Sequence, residues 1–527
     1  VIAERRQTSL LARTFFGRLF ESDLMPPGLP QIQLVVWVIA FLGAPSTLAP
    51  ILLSKKYLGF RDPAALHSTM AGDRTLALML SMVATGLVTL VLWENVFPDR
   101  RDGRILGVLP IRLRTFVVAR MAALLMLFGL LVAAMTLLSS ISFGLVNLIF
   151  GGVGGFIGQA LSHFAAAAGL EATVFFGIIA LQCLLLNTFG AATAQRLAVA
   201  LQILLVVGLL QMPLLLSLLR LPQVPSAAPL IGVATGAFAM LLYAGSYRRM
   251  TRLALEGTGV STVRKPRLRA LVPAIARIAT LSAPARAVCA FTLRTALRSR
   301  QHRMLLAGWV GVACALVLSA VLPSILRGDW DVFARPRSAV LVAPLIFAAL
   351  TTVGMRMVFA IPSEIRANWA LRGREPIPVR QAVDGAAAAL MACVLPAVLL
   401  ALLSGWSLWG LKTGLFHAAY SGLLGVFLAQ LLAIGVDKIP FTCTYVPGKA
   451  KFVKLWPLYL TLFSTYTLTM ASLEAELLRR GGIMRALMVF AALSAIAAFI
   501  RYRRASELPC LRFDEEPEDT LTVLRVS

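Results

Sequence analysis

Apolar residues in this chain do not form stripes; they come in unbroken blocks about twenty long, which recur from one end to the other. A helix of roughly 20 apolar residues crosses the ~30 Å hydrocarbon layer of a bilayer with every backbone N–H and C=O paired internally. Six blocks lie near 34–53, 76–93, 115–138, 172–190, 197–219 and 228–243. After a polar, Arg-rich stretch, six more lie near 304–325, 339–359, 382–403, 413–436, 455–473 and 484–500. Only 14% of the 527 residues are charged, against roughly 25% in soluble domains. The expected fold class is an all-α polytopic membrane protein with about twelve transmembrane helices in two parallel six-helix halves. Between the third and fourth blocks, the Gly-rich stretch Phe143–Gly158 reads as a re-entrant or interfacial segment.

Lys and Arg set the orientation. With loops assigned alternately to the two sides, the side that holds both termini carries roughly three times the basic residues of the other, and the Lys/Arg-rich side is the cytoplasmic one. The loop Ser54–Thr75, with Lys55, Lys56, Arg61 and Arg74, is the exception. The expected organisation is a cytoplasmic amphipathic segment at 1–33, a six-span half at 34–245, a basic cytoplasmic linker with an amphipathic helix at 246–303, a second half at 304–500 and a cytoplasmic tail at 501–527. The polar stretch before the first block does not read as a cleavable signal sequence. A net charge of +26 is accounted for by loop retention and by anionic headgroups of membrane lipids. The basic stretch Ser246–Arg303 lacks the interleaved aromatics of a nucleic-acid surface, so no nucleic-acid partner is expected.

The six cysteines stand singly, without a CxxC pair, and His67, His163, His302 and His417 are far apart in sequence. Neither a metal site nor a cofactor is expected. No HExxH, GxSxG or GxxxxGK[ST] pattern occurs, and Gly448–Lys449 is followed by Ala450. The chain is not expected to be an enzyme, and any ATP hydrolysis belongs to a partner.

Two elements repeat between the halves. Ser9–Leu24 precedes the first block and Ala287–Arg303 the seventh, each mixing apolar residues with Arg in the manner of an interfacial amphipathic helix. The second element joins the second and third blocks of each half. Each connection leaves the membrane at a proline (Pro98, Pro362) and passes an acid–Arg segment (Asp99, Arg100, Asp102; Glu364, Arg366). Each re-enters at a second proline followed by Arg (Pro110, Arg112; Pro378, Arg380), with Leu106 and Trp369 between as apolar anchors. Proline fixes a turn and starts a helix well. A short charged helix there suits a docking knob for a soluble partner.

The run from Glu94 through Asp99–Arg100, Asp102–Gly103, Leu106 and Leu109–Pro110 to Arg112 and Arg120 resembles the first cytoplasmic loop of ABC-2 type export permeases. The whole chain is similar to two such six-span units fused head to tail. The second half departs from the pattern, with Asn368–Trp369 in place of the glycine. The resemblance implies docking on a separate ATP-binding cassette ATPase subunit, residence in a bacterial cytoplasmic (inner) membrane, and a transport path between two units. The path is expected along the second and fifth spans of each half, with Ser81, Thr85, Thr89, Thr351 and Thr352 as candidate lining and an apolar or amphipathic cargo. The alternatives are an ion-coupled transporter of the major facilitator type and a non-transporting scaffold subunit. Against the first stands a scarcity of ionisable residues inside the blocks, where Arg120 and Arg356, both near span ends, are the firm candidates. Lys438–Lys454, joining the tenth and eleventh blocks, reads as a second docking surface or a lipid-facing basic loop.

Overall fold

The computed structural model describes residues 2–20, 56–57, 63–93, 96–97, 111–218, 227–256, 267–363, 377–443 and 452–511. The first apolar block, the loop stretches 98–110, 364–376 and 444–451, and the acidic tail lie outside the described residues. Every described element is a helix, and ten described helices are long and apolar enough to cross a bilayer. The protein is therefore a polytopic α-helical membrane protein. The chain divides into two compact units, with the described helices up to Glu256 in the first and those from Arg267 in the second.

Unit 1 begins with α1 (Ile2–Phe20) and α2 (Pro63–Val91). Next comes α3 (Leu113–Leu218), a run that reverses at two glycines, Gly152 (φ 59°) and Gly190 (φ 72°). Positive φ is open to glycine and strained for other residues. The run therefore splits into α3a (Leu113–Leu148), α3b (Gly151–Gly190) and α3c (Leu197–Leu215). The stretch Phe143–Gly158, expected as a re-entrant or interfacial segment, forms the ends of α3a and α3b with Gly152 as the corner. The last helix, α4 (Ala228–Glu256), crosses α3b backbone to backbone, because a Cβ on Gly169 would stand 2.4 Å from the Ala228 carbonyl oxygen. At the centre, Phe128, Phe175 and Phe176 lie with ring centroids 5.0–5.5 Å apart.

Unit 2 comprises α5 (Arg267–Ala279), α6 (Ala283–Arg298), α7 (Arg300–Arg327), α8 (Asp331–Ala334) and α9 (Ser338–Val358). There follow α10 (Val379–Ala392), α11 (Leu395–Trp409), α12 (Leu411–Ala433), α13 (Phe452–Arg480) and α14 (Ile483–Glu507). The expected ninth span is broken into α10 and α11, because Pro396 has no N–H and its ring crowds the carbonyl four residues back. A glycine again turns the corner into the next span, Gly410 at φ 89°. There Gly405 and Gly414 let α11 and α12 touch, a Cβ on Gly405 reaching 2.6 Å from the Gly414 Cα. The eleventh block sits in α13; its Tyr, Trp, Thr and Ser residues dilute its hydropathy, and it is not among the ten.

The surface is what a bilayer requires. Met484, Met488, Val489, Ile496 and Phe499 of α14, and Leu230, Val233 and Leu241 of α4, are exposed. In water such faces would be contiguous apolar patches; in a bilayer, lipid chains cover them.

Candidate functional sites: loop exits and intramembrane polar clusters

Each unit ties down the exit of its charged loop, from different helices in the two units. In unit 1 the chain leaves α2 through Val96 and Phe97, directly before Pro98. Arg120, on the second turn of α3a, donates from Nη2 to the Phe97 carbonyl at 3.3 Å, and the Tyr243 hydroxyl donates to the Val96 carbonyl at 2.9 Å. The Arg120 guanidinium also lies 5.1 Å from the ring centroid of Phe15 on α1, a favourable cation–π distance. In unit 2 the residue before Pro362 is Ile361, and its carbonyl is 3.0 Å from Nε2 of His302 on α7. The same exit is tied down by Phe441, whose N–H donates to the Phe359 carbonyl and whose carbonyl accepts from the Ser363 N–H. Both pre-proline carbonyls are thus held by a basic side chain from a spanning helix.

The amphipathic helices sit beside these exits. Phe15 of α1 packs against Phe116 at the start of α3a, ring centroids 6.4 Å apart, and Glu4 pairs with Arg112 at 3.8 Å. In unit 2, α6 lies directly on α10, where a Cβ on Gly385 would stand 2.5 Å from the Ala285 carbonyl oxygen. So α1 and α6 each rest on the first turns of the helix that follows the loop. Of the expected docking residues, Asp99, Arg100, Asp102, Leu106, Pro110, Glu364, Arg366 and Trp369 lie outside the described residues. Arg112, Pro378 and Arg380 are described and exposed, and the Arg380 guanidinium lies 4.1 Å from the Tyr502 ring centroid.

The five hydroxyl residues proposed for the path are all buried and all engaged inside their own unit. Ser81 donates to the Leu78 carbonyl, Thr89 to the Thr85 carbonyl, and Thr85 to Glu171 Oε2 at 3.2 Å. Thr352 donates to the Ala348 carbonyl, while Thr351 sits 3.2 Å from the Cys393 carbonyl at the α10–α11 break. Thr351 thereby meets a backbone carbonyl at the break itself, the kind of compensation that lets a spanning helix break inside lipid.

Two intramembrane acids went unseen in the sequence. Glu171, fully buried midway along α3b, accepts from Thr136 Oγ1 of α3a at 2.6 Å as well as from Thr85. Nearby, Ser139 Oγ is 3.2 Å from Nε2 of His163. In unit 2, His417 of α12 and Glu474 of α13 face each other with Nδ1 and Oε1 2.7 Å apart, at 1% and 0% exposure. Among the described residues, Glu474 Oε2 has no hydrogen-bond partner. Arg356 is mostly withdrawn into the protein, and its Nε and Nη2 donate to the Leu432 and Gly435 carbonyls at the end of α12. The signal for both acids lay in the blocks themselves: one was drawn to start at 172 and the other to end at 473, each stopping one residue short of the carboxylate.

Outside the spanning helices, the Tyr57 hydroxyl donates to Asp73 at 2.8 Å, and burial together with that acceptor pushes the phenol above its ordinary range. Lys56 pairs with the same carboxylate at 2.9 Å. Among the described residues, no group of three or more His, Cys, Asp or Glu is arranged to hold a metal ion. No family model, curated protein or solved structure matches the chain.

Proposed function

We propose that the chain is the permease subunit of an ABC-2 type exporter, energised by a separate ATP-binding cassette subunit that docks on residues 98–110 and 364–376. One observation carries this reading. In both units the carbonyl before the exit proline is clamped by a basic side chain, and an amphipathic helix rests on the span that follows the loop. A partner's motion reaches spanning helices only through stiff tethers. The clamps make the loops such tethers, which a solvated connection would not need. The recurrence of glycine corners at Gly152 and Gly410 supports two similarly built units. Residence in a bacterial inner membrane, both termini cytoplasmic, an apolar or amphipathic cargo and a path beside α2 and α9 belong to the same proposal.

A second reading is favoured by a specific observation. Intramembrane charge costs at least ~2.5–3.5 kcal/mol per residue and marks function, and Glu171 and Glu474 remove the scarcity of ionisable groups that counted against an ion-coupled transporter. That reading leaves the paired loop clamps without a purpose, so the export permease stands first.

The test is association. The full chain is expected to co-purify with an ATPase subunit, and Asp99→Lys, Arg100→Glu, Glu364→Lys and Arg366→Glu together are expected to abolish that co-purification. Charges at the rim steer encounter and register, while Leu106 and Trp369 supply the buried anchors. Undiminished co-purification after all four reversals would reduce the loops to ordinary turns.

A further inference from the structure

Glu171 is a fully buried acid in a spanning helix of unit 1 that the proposed function does not use. Its carboxyl group is fully buried, and the hydroxyls of Thr85 and Thr136 lie 3.2 and 2.6 Å from its two oxygens. Ser81 stands one turn before Thr85 on the same face of α2, with its hydroxyl donating to the Leu78 carbonyl. Three spanning helices, α2, α3a and α3b, therefore bring four oxygen atoms together near the middle of α3b. Among the described residues, Glu171 makes no ion pair with Lys or Arg. The nearest titratable groups on the packed helices are His163, two turns earlier on α3b, and Arg74, two turns before Ser81 on α2. In α3a the ionisable residues Arg114 and Arg120 belong to its opening turns, far from Thr136. A bare carboxylate enclosed by hydrocarbon is costly unless its charge is matched.

We infer that unit 1 contains a binding site for a single positive charge, a proton or an alkali metal ion, formed by the Glu171 carboxylate with the hydroxyls of Thr85 and Thr136. The donor set suits both sources. Oxygen-only ligands including one carboxylate are what hard cations take. Each hydroxyl can also donate to a carboxylate or, after rotation, accept from a carboxylic acid, so the same atoms satisfy the protonated state. Charge uptake at this point would tie α2, α3a and α3b together, since each contributes a ligand. The inference stands independently of the export reading, because it concerns occupancy of unit 1 and not the partner on the loops.

The experiment is thermal unfolding of the purified full chain in lipid nanodiscs, for the wild type and Glu171→Gln. One series titrates sodium, potassium or lithium chloride against choline chloride at fixed pH; the other lowers pH in choline chloride alone. A ligand that binds only the folded state raises the unfolding midpoint with its concentration. The wild type is expected to rise by several degrees in one series, and Glu171→Gln to lose that rise. Loss in the salt series identifies a metal ion, and loss in the pH series a proton. Thr136→Val, which removes one hydroxyl and keeps the acid, is expected to move the midpoint concentration of the response by about tenfold. It carries the test if Glu171→Gln does not fold. A wild type indifferent to both series overturns the inference. So does a response that persists in Glu171→Gln, or one unmoved in Thr136→Val.

Discussion

Replacing His417 by leucine is expected to destabilise unit 2 by about 3 kcal/mol, the upper end of the cost of leaving a buried polar group without its hydrogen-bond partner. The cause is what remains. Glu474 is fully buried, its Oε2 already lacks a partner among the described residues, and His417 Nδ1 is the group that satisfies Oε1. Without the imidazole neither carboxylate oxygen keeps a hydrogen-bond partner among the described residues. The double variant His417→Leu/Glu474→Met removes the stranded group and is expected to regain most of the loss. Unfolding midpoints and detergent-extracted yield of the three proteins decide it. A double variant no better than His417→Leu alone would place the damage in packing, not in the unpaired acid.

Gly169→Val is expected to cost unit 1 more than the usual ~1–3 kcal/mol of an overpacked core. A Cβ at Gly169 would stand 2.4 Å from the Ala228 carbonyl oxygen, 2.5 Å from its carbon and 2.6 Å from the Pro229 nitrogen. These are backbone atoms and cannot swing aside as a side chain would. The obstruction is mutual, since a Cβ at Gly232 would meet the Gly169 carbonyl oxygen at 2.5 Å. In lipid, where packing and not water exclusion drives helix association, such a small-residue crossing holds two spans together. Gly177→Ala, on the same helix with open space around it, is the control and is expected to be near neutral. Protease accessibility of α4 in the two variants reads the difference. Equal behaviour would show that the crossing contributes little.

The spanning architecture was legible because block length and apolarity answer directly to bilayer thickness, and α2, α4, α7, α9, α12 and α14 fall where the blocks lie. What failed was local. The Gly-rich stretch around Gly152 carries no sign that only one of its glycines takes positive φ, and the break at Pro396 is hidden in a block that hydropathy treats as one unit. Ionisable residues were lost for a systematic reason: a block drawn by apolarity stops at the first charge, so Glu171 and Glu474 were left at edges when the helices run well past them. Arg120 and Arg356 were seen, yet their roles follow from long-range contacts, with Phe97 and Phe15 in one case and Leu432 and Gly435 in the other. His302 looked like a solitary histidine until Ile361, fifty-nine residues away, came to its Nε2.

The proposed function requires both charged loops to lie on the cytoplasmic face of the membrane. Single cysteines introduced by Ile105→Cys, Ala370→Cys and Trp330→Cys in a background without the native thiols test it most directly, with a membrane-impermeant thiol reagent applied to intact cells and to inverted vesicles. Residue 330 lies between α7 and α9, at the opposite end of its spans from the loop at 364–376. The account predicts that positions 105 and 370 label only from the cytoplasmic face and position 330 only from outside. Labelling of 105 and 370 from opposite faces would contradict parallel units and, with them, the two-unit permease.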